Sequence, residues 1–332
     1  IYSEYPYMRG GLLLKFGIFG YGNLGRALEI AIGESTSDEV RAIFTRRDPR
    51  EVKSGGAPVC PSELVEDYAG EIDVMLLATG SATDAPRDAP RLAGNFHLVD
   101  SYDCHARTGE HCRTVGDEAR RTGHTAILSV GWDPGLFSVL RTLAHAIAPR
   151  GCHNTFWGRG VSQGHSEAIR RIAGVRYAKA YTLPDPAAKL AAYRGVGTLS
   201  DTERHTREWY IVADREEHAR IEKEIREMPH YFEGYPTVVH FISEEEFLRE
   251  HGKNPHAGSL ISVFRTGKYR ENREEMTFNL TLDSNPEFTA AVMLAYARAA
   301  FALAKEKKFG AYTPLDIPPK LLLPEGEAER YL

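Results

Sequence analysis

The segment GIFGYGNLGR, Gly17 to Arg26, limits what this chain can fold into more than any other stretch. An apolar strand runs directly into Gly20. Gly20, Gly22 and Gly25 then fall in a G-x-G-x-x-G pattern ahead of a helix beginning at about Leu24. The first glycine permits a tight turn, and the second lets backbone approach a pyrophosphate. The third lets helix and strand pack closely, while the helix N-terminus supplies unpaired N–H donors and a partial positive charge. Alone the motif is weak. Its strand–turn–helix setting makes it a dinucleotide site, with Tyr21, Asn23 and Leu24 completing the turn.

The surroundings fit a doubly wound sheet. Apolar runs at LLLKFGIFG, VRAIF, DVMLLATG, HLVDSYD and TAILSVG read as strands buried on both faces, separated by segments of helical spacing. Alternating strand and helix implies right-handed crossovers and a parallel sheet. From about Cys152 to Asp283 the pattern changes to strand-like runs such as HNTFWG, REWYIVAD and MTFNLTLD, punctuated by helices. The alternation of Met276, Phe278, Leu280 and Leu282 marks a sheet with one buried face. An Ala-rich helix follows from Phe288 to Lys305. The chain therefore reads as α/β: a Rossmann-type domain over 12–151, to which 287–332 returns, and a second α+β domain with a mixed sheet over 152–286.

The second strand decides which dinucleotide. An NAD site ends this strand in Asp or Glu for the ribose 2′-hydroxyl. Here it ends AIFTRRD, putting Thr45, Arg46 and Arg47 where the acid would sit. Two guanidinium groups and a hydroxyl suit a 2′-phosphate, which favours NADP, while Asp48 keeps NAD open. The bland alternative is a pair of solvated arginines. Three further strands end at Ala78, Thr79, Gly80 and Ser81, at Ser101, Tyr102 and Asp103, and at Val130, Gly131, Trp132, Asp133 and Pro134. Such carboxyl ends line the cofactor crevice. Asp103 and Asp133 fall on neighbouring strands, where two carboxylates can hold and deprotonate an ammonium group. The alternative for Asp133 is a helix N-cap, with Pro134 starting the helix. Beyond Trp157, a Ser-Gln-Gly turn opens a helix whose N–H groups suit a carboxylate.

Composition argues against other classes. A formal net charge of −5 over 332 residues offers no basic field for nucleic acid. No apolar run approaches the roughly 20 residues of a membrane span. The opening IYSEYPYMRGG lacks the apolar core of a secretory signal, and whether residues 1–7 are native ahead of Met8 stays open. Cys60, Cys104, Cys112 and Cys152 show no framework spacing, as expected in a reducing cytoplasm. CHARTGEHC matches no usual zinc finger, so no metal is expected.

Taken together, GYGNLGR, FTRR, TGSATD, DSYDCH, VGWDPGLFS, TFWGRGVSQGHS, YTLP, MPHYFEGY and LDSNPEFTA resemble the meso-diaminopimelate D-dehydrogenases, from about Leu14 to Pro314. The resemblance implies a homodimeric, cytoplasmic, NADP-dependent enzyme of lysine and cell-wall precursor supply. Its reaction would be oxidative deamination of the D-centre of meso-2,6-diaminopimelate to L-2-amino-6-oxopimelate, which cyclises to tetrahydrodipicolinate, with ammonia and NADPH. It further implies that the second domain binds substrate and dimerises. By the same resemblance Asp103, Trp132, Asp133 and Trp157 surround the D-centre, and Gln163 and Gly164 hold its carboxylate. Thr182, Arg207, His256 and Asn285 would grip the distal L-centre. From the residues alone, Arg207 reads equally well as a surface strand residue, His256 as a loop residue and Asn285 as a helix N-cap. Glu167 departs from the best-known members of the family, which carry Asp there. Two alternatives remain: another NADP-linked amino-acid or aldehyde dehydrogenase, and a redox-sensing regulator that binds NADP without turnover. The charged and aromatic constellation separates them, because a sensor has no use for it.

Overall fold

A computed structural model describes residues 13–34, 38–81, 83–104, 107–161, 163–228, 234–323 and 327–331, apart from the side chains at 163–165 and 167. Two compact units result: one runs to Val139 and resumes at Pro286, the other is Leu140–Asn285. The chain begins with β1 (Lys15–Phe19), α1 (Asn23–Gly33), β2 (Glu39–Thr45), β3 (Val59–Pro61) and β4 (Val74–Leu77). It continues through α2 (Asp84–Ala93), β5 (Leu98–Asp100), α3 (Thr108–Thr122), β6 (Thr125–Ile127) and α4 (Phe137–Ile147). The second unit adds β7 (Cys152–Trp157), β8 (Gly160–Val161), α5 (Gln163–Arg170), β9 (Tyr177–Pro184), α6 (Pro186–Tyr193) and α7 (Asp201–Arg204). Next come β10 (His205–Val212), α8 (His218–Arg226), β11 (Thr237–Phe241), α9 (Glu244–Glu250), β12 (His256–Thr266) and β13 (Asn272–Leu282). Last are α10 (Asn285–Lys305) and β14 (Gly310–Tyr312).

The first unit is one seven-stranded sheet in the order β14-β6-β5-β4-β1-β2-β3, parallel throughout. Its strands are apolar without strict alternation because both faces are covered. Phe16, Ile18, Val74 and Leu76 pack with α1 and α10 on one side. Phe19, Met75, Leu77 and Leu98 pack with α2 and α3 on the other. The helix α10 corrects the expectation that no apolar run reaches membrane-spanning length. Among the described residues it alone is long and apolar enough to cross a membrane. Here its Ala290, Met293, Ala297 and Ala300 are wholly buried in the first core.

The division between units falls inside α4, ahead of the residue 151 boundary read from sequence. His153 on β7 explains it: its Nε2 lies 2.9 Å from the carbonyl of Ala148, tying the end of α4 to the second unit. That unit holds a four-stranded sheet, β11-β10-β9-β8, and a three-stranded one, β13-β12-β7. The mixed character resides in the former, where β10 runs parallel to β11 and antiparallel to β9. Trp209 and Ile211 of β10 bury against α5 and α8. A capping box between Ser200 and Glu203 starts α7, which delivers the chain directly into β10.

Candidate active site

Because all strands of the first sheet are parallel, their carboxyl ends share one edge, and the strand order reverses between β1 and β4. Ligands of such sheets bind at the reversal. Gly20 adopts φ +99°, and a Cβ there would lie 2.8 Å from the Ala78 carbonyl oxygen. A Cβ on Gly25 would come within 2.2 Å of the Gly20 carbonyl oxygen, so helix and turn meet without a side chain between them. Gly22 differs. Nothing lies within 4 Å of its would-be Cβ, and it caps α1 with no side-chain hydrogen bond. Asn23 and Leu24 form the first turn of α1, which carries no acidic residue. Open space beside uncapped N–H donors fits a pyrophosphate.

The end of β2 is bound to this turn. Arg47 donates from Nη2 to the carbonyl of Tyr21 at 2.6 Å, and its N–H donates to Thr45 Oγ1 at 3.2 Å. The Tyr21 hydroxyl donates to Glu29, and burial first, then that carboxylate, pushes the phenol up to about 12. Arg46 forms a two-pronged pair with Asp84 at 2.8 and 2.6 Å. Asp48 is committed elsewhere: it accepts from the N–H of Arg50 at 3.0 Å and from its guanidinium at 2.7 Å, which holds the carboxyl below its usual range. The end of β2 thus carries two arginines and an aspartate already committed to Arg50.

Beyond β4, the N–H of Ala78 donates to Phe19 O at 2.8 Å, and the buried Thr79 hydroxyl has no partner among the described residues. Gly80 is exposed, and the Ser81 hydroxyl reaches the carbonyl of Ser101 at 3.5 Å. Tyr102 is buried and Asp103 exposed. Past β6, Val130 donates to Asp100 O at 2.9 Å, and Gly131 leads to Trp132, which stands edge-on to Phe137 at 5.2 Å. The N-cap alternative for Asp133 is corrected here. Asp133, Pro134 and Gly135 are non-helical, Leu136 turns back to Gly131 O at 3.0 Å, and α4 begins only at Phe137. Asp103 and Asp133 therefore stand in loops that follow the paired strands β5 and β6.

In the second unit, Arg207 of β10 sits directly opposite Thr182 of β9 and donates to its hydroxyl. The guanidinium lies 4.3 Å above the Tyr235 ring, and its Nε has no partner among the described residues. At 7% exposure it is no surface residue. Burial pulls its pKa down, yet a guanidinium stays charged. No carboxylate pairs with it among the described residues. His256 opens β12 rather than occupying a loop, and it is buried. A Cβ on Gly160 would lie 2.4 Å from its ring, so that glycine makes room for the imidazole.

Trp157 is held by a residue the sequence reading passed over. Its backbone N–H donates to His205 Nε2 at 2.8 Å, and the His205 ring stacks on the indole at 5.0 Å. Nδ1 of the same ring donates to Asp201 O at 3.0 Å. Burial pushes His205 down to about 4, which keeps it neutral with one donor and one acceptor nitrogen. The signal was available: His205 precedes Arg207 by two residues and shares its face of β10. Tyr235 carried no such signal. Asn285 begins α10 and donates its N–H to Asn254 O at 3.1 Å, while Lys179 bonds the Asn254 side chain at 3.0 Å. Gln163 and Gly164 open α5. Their side chains, that of Glu167 and residues 229–233 of MPHYFEGY lie outside the described residues.

A parallel doubly wound sheet with an open glycine turn, joined in sequence to a unit that buries a guanidinium whose Nε has no partner among the described residues, fits a nicotinamide-dependent oxidoreductase. The chain is 45% identical over 330 residues to the meso-diaminopimelate D-dehydrogenase of Acetivibrio thermocellus, covering 96% of this chain and 98% of that one. It belongs to the meso-diaminopimelate D-dehydrogenase family. The namesake from Corynebacterium glutamicum is 42% identical over 314 residues, 94% of this chain and 96% of its own. A family model described as the diaminopimelic acid dehydrogenase C-terminal domain matches residues 131–284. The structure is similar to that of C. glutamicum DAP dehydrogenase in complex with DAP, with a TM-score of 0.90, 40% identity and coverage of 96% and 98%. An engineered D-amino acid dehydrogenase bound to NADP+ gives 0.87, 39%, 96% and 98%.

Proposed function

We propose that this chain oxidatively deaminates the D-centre of meso-2,6-diaminopimelate with NADP+ and water, giving L-2-amino-6-oxopimelate, ammonia, NADPH and a proton, reversibly. The observation that carries this reading is Arg207: a buried guanidinium with an unpaired Nε beside a hydroxyl, which suits the second carboxylate of a dicarboxylic substrate. Thr182, Arg207, His256 and Asn285 hold the L-centre, while Asp103, Trp132, Asp133 and Trp157 enclose the D-centre. Gln163 and Gly164 take its carboxylate at the start of α5. Bound NADP+ supplies the hydride acceptor. Gly20, Gly22 and Gly25 receive its pyrophosphate, and Thr45, Arg46 and Arg47 its 2′-phosphate.

The protein's own task is placement and charge. Asp103 and Asp133 draw in the substrate ammonium, which must lose a proton before hydride leaves the D-Cα. Water then adds to the resulting imine carbon, and ammonia departs. Family membership supports a homodimer working in the cytoplasm. The test is spectrophotometric: NADPH should form with meso-diaminopimelate and NADP+, far faster than with NAD+ or with a D-amino acid lacking the distal carboxylate. No NADPH from meso-diaminopimelate would end the proposal.

A further inference from the structure

Asp100, the last residue of β5, is wholly buried, and none of the roles above uses its side chain. Its Oδ1 accepts the N–H of Tyr102 at 3.1 Å and the N–H of Ser129 at 2.8 Å. Oδ2 lies 2.6 Å from Nε2 of His111, itself buried on α3. An ionised carboxylate only accepts, so Nε2 carries the hydrogen. The His111 ring in turn stacks on Tyr102 at 4.2 Å. A buried carboxylate is tolerated when donors surround it, and three donors fix this one in a single orientation.

Two of those donors belong to different loops. Tyr102 immediately precedes Asp103, and Ser129 lies just ahead of Trp132 and Asp133. Ser129 adopts φ +59°, a region that residues other than glycine seldom take. Its loop is further held by Val130 N–H, which donates to the Asp100 carbonyl at 2.9 Å. One residue therefore ties the loop after β5 to the loop after β6. We propose that Asp100, clamped by His111, is the positioning residue that sets the spacing between Asp103 and Asp133 and so places the ammonium of an amino-acid substrate. This rests on the reading of Asp103 and Asp133 as the groups that hold that ammonium.

The experiment compares Asp100→Ala, Asp100→Asn, His111→Phe, Asp103→Asn and Asp133→Asn as full-length enzyme with NADP+ and meso-diaminopimelate. Rates are expressed per NADP+-binding site, counted by stoichiometric titration, so that misfolded protein drops out. With Asp100→Ala the two loops move independently, and misplacement on the ångström scale lowers kcat per site by about ten- to a hundredfold, with KM for the amino acid raised. Asp100→Asn keeps an acceptor for both loop N–H groups and turns an amide toward His111, so it recovers most of the loss. His111→Phe keeps the ring stack but frees Oδ2, and gives a smaller change in the same direction. It also serves where Asp100→Ala does not fold. A purely structural role would reduce the number of NADP+ sites and leave kcat and KM per site unchanged in both variants, which overturns the proposal. Asp100→Asn as impaired as Asp100→Ala overturns it as well. Normal turnover by Asp103→Asn and Asp133→Asn would instead remove the reading on which it stands.

Discussion

The two regions assigned to binding are built from opposite materials. In the first unit the glycine turn is built from backbone, with empty space at Gly22, uncapped N–H groups on α1, and strand ends on one edge. In the second unit the region around Arg207 is side chain, with Thr182, Arg207, His205 and His256 all buried and each held by a named neighbour. A backbone site tolerates variation in most side chains but not in its glycines. A side-chain site depends on partners far apart in sequence, so its specificity is concentrated in a few residues.

The largest effect expected from breaking this contrast is at Arg207. Arg207→Met leaves a substrate carboxylate facing an apolar wall, at a cost of about 2–5 kcal/mol, or roughly 30- to 4000-fold in kcat/KM for meso-diaminopimelate. Because remote binding energy orients the reacting end, kcat should fall along with the rise in KM. The preference for D-leucine over meso-diaminopimelate should increase; a rate ratio identical to the parent's would place the distal grip elsewhere.

Next is Arg47→Ala, which removes a charge-assisted bond worth about 1.5–3 kcal/mol, roughly ten- to a hundredfold in NADP+ affinity. NAD+ affinity should fall less, because it loses only the Arg47 bond that steadies the Tyr21 carbonyl of the glycine turn. Arg46→Ala should cost less, because Asp84 already engages both prongs of that guanidinium. Side-by-side titration with both cofactors checks the pair, and equal losses for NADP+ and NAD+ would refute the 2′-phosphate assignment.

Glycine substitutions sharpen the comparison further. Gly25→Ala forces a methyl to within 2.2 Å of a backbone oxygen and should destabilise the fold by about 1–3 kcal/mol. Gly22→Ala meets open space and should leave the unfolding midpoint close to the parent's while weakening dinucleotide binding. Denaturant melts and cofactor titrations on both variants separate packing from ligand approach. Loss of stability in Gly22→Ala would contradict the division.

A further effect is shared by both units. His97 in the first and His205 in the second are each pushed by burial from 6.5 down to about 4. Between those values the unfolded chain binds protons that the folded chain refuses, so stability is full above pH 6.5 and falls as the pH drops toward 4. Thermal melts across that window should show the decline, and it should be shallower in His97→Gln and in His205→Gln.

Local patterns carried much of this. The run into Gly20 and the alternation of strand and helix announced the parallel sheet, since both depend on spacing along the chain. The alternative placing Asp133 at a helix cap failed because Gly135 and the turn from Leu136 to Gly131 hold off α4 until Phe137. That is a matter of dihedral angles a residue pattern does not reveal. His256 looked like a loop residue because NPHAGS reads as a turn, and its place on β12 comes from pairing with Leu282 of β13.

By itself, then, the sequence determined the turn geometry, the strand edge and the arginines after β2, because each arises from neighbours within a few residues. Whether a charge is satisfied was decided only in three dimensions. Asp48 is spent on Arg50 and Arg46 on Asp84, while Arg207 is buried over Tyr235 with Nε unpaired. Hydrogen bonds and desolvation act across space, and strand pairing brings together residues that the chain keeps apart.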